Sequence, residues 1–219
     1  MVEFKEENER LRNMPVKELV REIKRGNIDS DGADLRNIDL SNFDLSGVDL
    51  AGANLSGANL SGSNFEQTDF TDVSLNGANL ARANLAGATL CYADLSMADL
   101  NGANLTGANL LGAFCVETSF LRANLTRANL RSIHLSYFYL YKANLTGADF
   151  GGANLARMGF IDSNLCYTDF TEARLSYVDF SGSIFSENGL YQADFCGARL
   201  YKVIITPEQI KEIRNFPIR

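Results

Sequence analysis

An apolar residue returns at every fifth position over most of this chain. From residue 35 to residue 200, each position divisible by five holds Leu or Phe, with Cys115 as the one exception. No insertion or deletion shifts this register along the sequence. A period of five fits neither the 3.6-residue turn of an amphipathic helix nor the two-residue alternation of a strand. The period therefore predicts a repeat architecture with one structural unit per five residues.

The other positions of the unit are specialised as well. Ala is commonest two residues before the Leu or Phe, and Asn or Asp is commonest one residue before it. Units such as "GANLSGANL", "ARANLAGATL" and "DLSMADLNGANL" resemble the pentapeptide repeat family over residues 31–205. The resemblance implies an all-β solenoid, a right-handed quadrilateral β-helix of about 8.5 coils with four pentapeptides per coil. It also implies that the Leu or Phe and the small residue two positions before it point inward.

Such a coil holds 20 residues and places residue i directly beneath residue i+20. Asparagine occupies six successive positions with this spacing. Stacked side-chain amides hydrogen-bond along the column in other stacked-strand structures. We therefore expect an asparagine ladder, formed by Asn64, Asn84, Asn104, Asn124, Asn144 and Asn164.

The two ends of a stacked solenoid need caps, because each exposes an unpaired edge. Residues 1–30 are predicted to be an N-terminal helical cap, with Pro15 near a helix start, Gly26 as its stop and the apolar face Val16, Leu19, Val20 and Ile23. Residues 206–219 are predicted to be a C-terminal capping helix that begins with a capping box from Thr206 to Gln209. Several members of the family dimerise through this end, and the resemblance makes Ile210, Ile213 and Phe216 a candidate interface of a homodimer.

The sequence offers no catalytic constellation. His134 is the only histidine, and the four cysteines are far apart with no CxxC pair. No glycine-rich segment matches a phosphate-binding or dinucleotide-binding fingerprint. We therefore expect a protein without enzymatic activity, cofactor or metal, with free thiols in a reducing compartment.

Charge and hydropathy limit the kinds of partner that the chain can bind. The net charge of −7 argues against direct binding of nucleic acid, and no apolar run is long enough to span a membrane. The charged N-terminus lacks the apolar core of a signal peptide. The sequence therefore predicts a cytoplasmic protein whose partner is another protein.

One candidate partner-binding patch lies where apolar residues replace the usual outward Ser or Thr. With coils of 20 residues, Leu121, Tyr141 and Ile161 form one outward column, and Phe114 and His134 stack on the neighbouring side. Apolar and aromatic residues beside basic ones, on a polar rod, are typical of a protein contact site. The full patch comprises Leu121, Tyr139, Tyr141, Ile161, Phe114, His134, Arg122 and Lys142.

A second candidate surface is the acidic first half of the repeat. Residues 31–110 carry ten acidic and two basic side chains, a net charge of −8, whereas residues 111–205 carry eight of each. Some family members resemble duplex DNA in shape and charge and bind DNA gyrase or topoisomerase IV in its place. The candidate DNA-mimic acids are Asp34, Asp39, Asp44, Asp49, Asp69, Asp94 and Asp99.

The charge of the rod can be compared with that of duplex DNA of the same length. Duplex DNA carries one charge per about 1.7 Å, so a rod of about 40 Å would need about 24 charges to match it. The repeat region offers a net −8, and it lacks the projecting loops usual in the quinolone-resistance members. The favoured interpretation is a rigid protein-binding rod or scaffold, and the alternative is a DNA mimic that inhibits or protects a type II topoisomerase.

Overall fold

The repeat region is a stack of parallel coils. The structure, a computed structural model, describes residues 2–136, 140–187 and 192–217. The Asn or Asp position of each pentapeptide forms a parallel bridge with the residue 20 positions later, from Asp34 with Asn54 to Asn164 with Ile184. Each such coil has four bridge residues, which we use to name four sides. Sides A, B, C and D are the columns that begin at Asp34, Asp39, Asp44 and Asp49, and corner AB is the two-residue turn between sides A and B.

Each pentapeptide makes one side because its polar backbone is satisfied in two directions. Within a coil, the Ala58 N–H donates to the Leu55 carbonyl at 3.0 Å, which closes the turn. Between coils, the Leu55 N–H donates to the Ser74 carbonyl at 2.7 Å. The second turn residue has a positive φ, for example +68° at Gly57, which glycine adopts without steric cost. Each five-residue unit therefore supplies one bridge and one corner.

The core is a column of apolar side chains. Of the described residues at the five-residue register, all are buried except Leu135 and Leu200, which are half-buried. Full burial of one such side chain stabilises the fold by roughly 1.5–3 kcal/mol. Phenylalanines gather in the second half, where the rings of Phe150 and Phe170 stack with centroids 5.5 Å apart. The predicted inward direction of the register residues is thus observed in the described part of the chain.

Strands longer than a single bridge occur at a few sides. Strand β1 (Phe114–Val116) pairs in parallel with β2 (His134–Ser136), and β3 (Arg174–Ser176) pairs with β5 (Arg199–Tyr201). Strand β4 (Ala193–Asp194) pairs in parallel with β6 (Ile213–Arg214).

The pairing interval changes near the C-terminal end, which corrects the prediction of an uninterrupted register. Asp169 bridges to Asp194 and Asp179 to Ile204, so that 25 residues separate the partners instead of 20. The Ala193 N–H donates to the Phe185 carbonyl at 3.0 Å and reproduces the normal turn bond across five extra residues. Because the insertion is itself five residues long, it leaves the Leu and Phe spacing in the sequence unchanged.

Two helices contact the first coil. Helix α1 (Val2–Asn13) buries Leu11, and helix α2 (Val16–Lys24) buries Leu19, Val20 and Ile23 in the core of the stack. The Asp34 N–H donates to the Asn8 side-chain carbonyl at 2.7 Å. The side-chain amide of Asn8 therefore takes the place of the bridge partner that a preceding coil would supply.

The C-terminal segment is more than a helix. Helix α3 (Pro207–Lys211) begins with the predicted capping box, in which Thr206 and Gln209 exchange hydrogen bonds. The Gln209 amide also donates to the Ser183 carbonyl at 2.9 Å. Strand β6 then follows, where a continuous helix over 206–219 was predicted, because Ile213 is buried in the core. None of the helices among the described residues has the length and apolar character to cross a membrane.

Candidate interaction surface

Two exposed aromatic rings stack on side A. The Phe114 and His134 rings have centroids 4.7 Å apart and planes within 9° of parallel. Strands β1 and β2 hold them in this position, because Phe114 and His134 are direct partners in the parallel register. Phe114 is 45% exposed, and neither ring fills the core. The predicted stack is confirmed.

The predicted apolar column lies at the corner between sides B and C. Leu121 and Tyr141 are exposed and Ile161 is half-buried. Their carbonyls accept the N–H groups of Gly102, Arg122 and Lys142 in turn, which places the three residues one coil apart. The Lys142 ammonium lies 4.9 Å from the centre of the Tyr141 ring, within the range of a cation–π interaction. Tyr139, which was also assigned to this patch, lies outside the described residues.

Sequence reasoning missed two exposed apolar residues at the corner next to side A. Val116 and Met97 lie at corner AB and are 38% and 58% exposed. The Met97 N–H donates to the Val116 carbonyl at 2.8 Å, so the two residues are on successive coils. The signal was available, since both replace the small or polar residue usual at a corner. We define the interaction patch as Met97, Phe114, Val116, Leu121, His134 and Tyr141, flanked by Arg122 and Lys142.

The candidate DNA-mimic acids have a structural task. Each of these seven acids accepts the backbone N–H of the residue two positions later through one carboxylate oxygen. The distance is 2.9 Å from Ala51 to Asp49, and it is 3.3 and 3.2 Å at Asp34 and Asp44. Asparagine makes the same bond elsewhere in the repeat, for example Asn54 with Ser56 at 3.1 Å. These acids are therefore part of the turn chemistry.

The same acids do not form one stripe. The 20-residue register places Asp34 and Asp94 on side A, Asp39 and Asp99 on side B, Asp44 on side C, and Asp49 and Asp69 on side D. The helices neutralise some of this charge, because Arg12 pairs with Asp34 and the Lys24 ammonium lies 2.8 Å from Asp44. The Lys24 ammonium and the Ser46 hydroxyl hold the pKa of the Asp44 carboxyl well below its usual range.

The cysteines and the other side chains that could bind a metal are dispersed in the described part of the chain. No group of three or more His, Cys, Asp or Glu residues there is arranged to hold a metal ion. The four cysteines are free thiols, and burial raises the pKa of the Cys115 thiol far above its usual range. Since the thiolate is the nucleophile, Cys115 is an inert core residue.

The candidate dimer residues have different environments. Ile213 is buried within the chain's own core through the β4–β6 pairing. Phe216 is half-buried, with its ring centre 5.9 Å from that of Phe195, and Ile210 is half-buried. Ile210 and part of Phe216 therefore remain accessible to a second copy.

Comparison with known proteins gives a family and a set of similar folds. The family model described as "Pentapeptide repeats" matches in eight copies that fall within residues 31–67, 68–107, 98–136, 123–157, 139–176 and 163–200. A pentapeptide repeat protein from the thylakoid lumen of Arabidopsis thaliana is 36% identical over 47% of this chain and 72% of that one, with a TM-score of 0.46. No curated protein sequence matches at a significant level.

Two further solved structures are similar over more of the chain. HetL from the cyanobacterium Nostoc sp. strain PCC 7120, a pentapeptide repeat protein involved in heterocyst differentiation regulation, is 25% identical over 90% of this chain and 99% of that one, with a TM-score of 0.40. A trypsin-treated variant of QnrB1, a plasmid-mediated fluoroquinolone resistance protein, is 19% identical over 78% and 91%, with a TM-score of 0.43. The family model spans most of the chain, in the region where each five-residue unit forms one side of a coil, and the chain therefore belongs to the pentapeptide repeat family.

Proposed function

We propose that this protein is a non-catalytic rod that binds another protein through the interaction patch. The observation that carries the proposal is the stacked pair of Phe114 and His134 at positions where the fold requires no large side chain. Asp94 on the coil below and Asn154 on the coil above occupy the same column. Interface hot spots are enriched in Tyr, Trp and Arg, and the patch carries Tyr141 with the Lys142 ammonium over its ring and Arg122 alongside.

The proposed rod is a right-handed, four-sided β-helix of about 8.5 coils, with helices covering both ends. The bridges at 20-residue intervals and the burial of Leu19, Val20 and Ile23 against the first coil support this arrangement. At about 4.8 Å per coil, the stack is about 40 Å long. Its backbone is hydrogen-bonded in every coil, so the patch is held in one geometry and little entropy is lost on binding.

The test compares partner enrichment by the intact protein and by the double variant Phe114→Ser/Leu121→Ser. Both side chains are exposed, so their removal leaves the core unchanged. Quantitative mass spectrometry of proteins enriched by affinity capture should show a partner that the double variant loses at least about tenfold, as expected when an interface anchor is truncated.

The control is Tyr92→Asn, which removes an exposed aromatic residue on another corner of the rod. Asn tolerates the positive φ of 59° at this position. The control should retain the same partner. Identical enrichment profiles for the intact protein and the double variant would remove the interaction patch from consideration.

The net charge of −8 over residues 31–110 favours the DNA mimic as a second candidate. The support is weaker, because the acids lie on all four sides and Asp34 and Asp44 are paired with basic residues of the helices. A supercoiling assay with DNA gyrase, with and without a quinolone, tests it. Unchanged supercoiling at micromolar protein excludes this function.

A further inference from the structure

The second half of the rod is electrically uneven around its circumference. Within residues 111–205, sides A and B with the corners that follow them carry six basic and three acidic residues, a net +3. Sides C and D with their following corners, together with Glu187 of the insertion, carry two basic and five acidic residues, a net −3. The basic residues of sides A and B are Arg122, Lys142, Arg157, Arg174, Arg199 and Lys202.

Two of these arginines are direct neighbours in a strand pair. In the parallel register of β3 and β5, Arg174 is the partner of Arg199, and both are exposed. Like charges directly opposite one another destabilise a sheet. The five-residue insertion creates this pair, since an interval of 20 would have placed Arg199 opposite Asp179. The register therefore places two exposed side chains of like charge opposite one another.

Two further cations and two aromatic rings lie at corner AB, next to the arginine pair on side A. Arg157, Tyr177 and Lys202 occupy one column there, with φ values of +65°, +60° and +50°. Large side chains are less stable than glycine in this region of φ, and on earlier coils the same column holds side chains of every size, namely Asn37, Gly57, Gly77, Met97 and Glu117. Packing thus gives no reason for large residues at these three corners.

Two tyrosine rings contact one another at this corner. The Tyr177 and Tyr201 rings meet edge to face with centroids 5.3 Å apart, and both side chains are about half exposed. The Lys202 ammonium lies 5.7 Å from the centre of the first ring and 5.4 Å from that of the second. The result is an exposed surface that is both apolar and cationic.

The cations of this surface lack carboxylate partners. Seven ion pairs occur among the described residues, and none of them includes Arg157, Arg174, Arg199 or Lys202. Within the described part of the chain, four cations on three successive coils thus have no anion within 4.0 Å. Such a cluster is suited to carboxylates from another molecule, because arginine binds them with paired hydrogen bonds.

We propose that Arg157, Arg174, Arg199, Lys202, Tyr177 and Tyr201 form a docking site for an acidic segment of a partner protein. Carboxylates of the segment bind the arginine pair, and an apolar side chain beside them packs on the tyrosine rings. The site uses residues other than the interaction patch, so it stands or fails separately from it. A short acidic segment fits better than a nucleic acid, because the net −8 of the first four coils repels a long polyanion.

Fluorescence anisotropy tests the proposal with the full-length protein at low salt. The probe is a fluorescein-labelled decapeptide of eight glutamates around a central pair of leucines. We expect saturable binding that weakens by about tenfold or more in Arg174→Asn/Arg199→Asn, since two charge-assisted contacts are lost. The same variant should melt at a temperature no lower than that of the intact protein, because a repulsive pair has been removed.

The control is Arg82→Asn/Arg127→Asn, which removes the same charge from exposed corners elsewhere. These residues have φ values of +60° and +57°, where asparagine is tolerated. Equal loss of binding in both double variants, or no binding by the intact protein, overturns the site. A labelled single-stranded deoxythymidine decamer that binds more tightly than the peptide overturns the assignment to an acidic protein segment. Retained peptide binding in Phe114→Ser/Leu121→Ser shows that the site is independent of the interaction patch.

Discussion

At the scale of single residues, the asparagine of the repeat makes two kinds of hydrogen bond with one side chain. The Asn84 carbonyl oxygen accepts the Ala86 N–H at 3.3 Å and the Asn104 amide at 2.9 Å, and its own amide donates to Asn64 at 2.9 Å. The ladder continues in this direction from Asn124 down to Asp44. It is shorter than predicted at its other end, because the Asn144 amide donates to the Thr126 hydroxyl at 3.0 Å and not to Asn124. Aspartate can only accept, which suits the first position of a column, where no preceding side chain needs a donor.

We predict that Asn84→Asp lowers the free energy of unfolding by about 1–3 kcal/mol at pH 7. The variant keeps the turn bond but loses the donor and places a carboxylate against the Asn64 carbonyl oxygen. Urea denaturation followed by circular dichroism measures the effect. Asp39→Asn is the control and should change stability little, because an amide oxygen at the base of that column still accepts from Asn59 and no ion pair of the described residues is lost. Equal effects of the two substitutions would show that the ladder has no preferred position for aspartate.

At the scale of elements, the five-residue insertion does not disturb the described residues on either side of it. The Ala193 N–H donates to the Phe185 carbonyl at 3.0 Å, a turn bond that matches that of an ordinary corner. A deletion of residues 187–191 would join "FS" to "QADF". The joined sequence has the same pattern as "FEQTDF" at residues 65–70, which forms a regular corner.

We predict that deletion of residues 187–191 leaves the thermal unfolding midpoint within a few degrees of that of the intact protein. Deletion of residues 187–190 should lower it strongly, since every later residue would move one position out of register and Phe195 would leave the core. Thermal melts of both variants make the comparison. A similar loss of stability in both would mean that the inserted residues themselves hold the last coil in place.

The same element shows how far sequence reasoning extends. The period of five and the asparagine column led to the correct units, the 20-residue interval and the Phe114–His134 stack, because each depends on local spacing. An insertion of five residues does not alter a period of five, so the shift to 25 was not visible. The Arg174–Arg199 pair was missed for this reason, since a constant interval of 20 residues would place Arg199 opposite Asp179. Strand β6 was missed because the spacing of Ile210, Ile213 and Phe216 is that of one face of a helix. In the structure, only Ile213 of these three residues is buried, and it lies in a strand.

At the scale of the whole molecule, the two ends are closed differently. The first coil is contacted by two helices with four buried apolar residues, Leu11, Leu19, Val20 and Ile23. At the other end, helix α3 buries none of its residues, and Ile204 on the last coil is 58% exposed. We infer that the C-terminal end is where a second copy binds.

We predict that the protein sediments as a dimer and that Ile210→Glu makes it monomeric without loss of secondary structure, since a charge is buried in the interface at high cost. Analytical ultracentrifugation measures the change. Deletion of residues 206–219 is a poorer test, because it also removes the buried Ile213 and the Gln209 bonds to the last coil. Lys17→Glu at the opposite end is the control and should stay dimeric. A monomeric intact protein, or a dimeric Ile210→Glu variant, contradicts the prediction.

The ladder of side-chain amides gives the rod a direction, since each donor points to the coil before it. Growth by gene duplication is therefore modular. A tandem copy of 20 residues from the middle of the stack brings its own donors and acceptors in the right order and lengthens the rod by one coil, about 4.8 Å. Evolution can thus set the spacing between the interaction patch and the two ends in discrete steps, while a surface column keeps its orientation from one coil to the next.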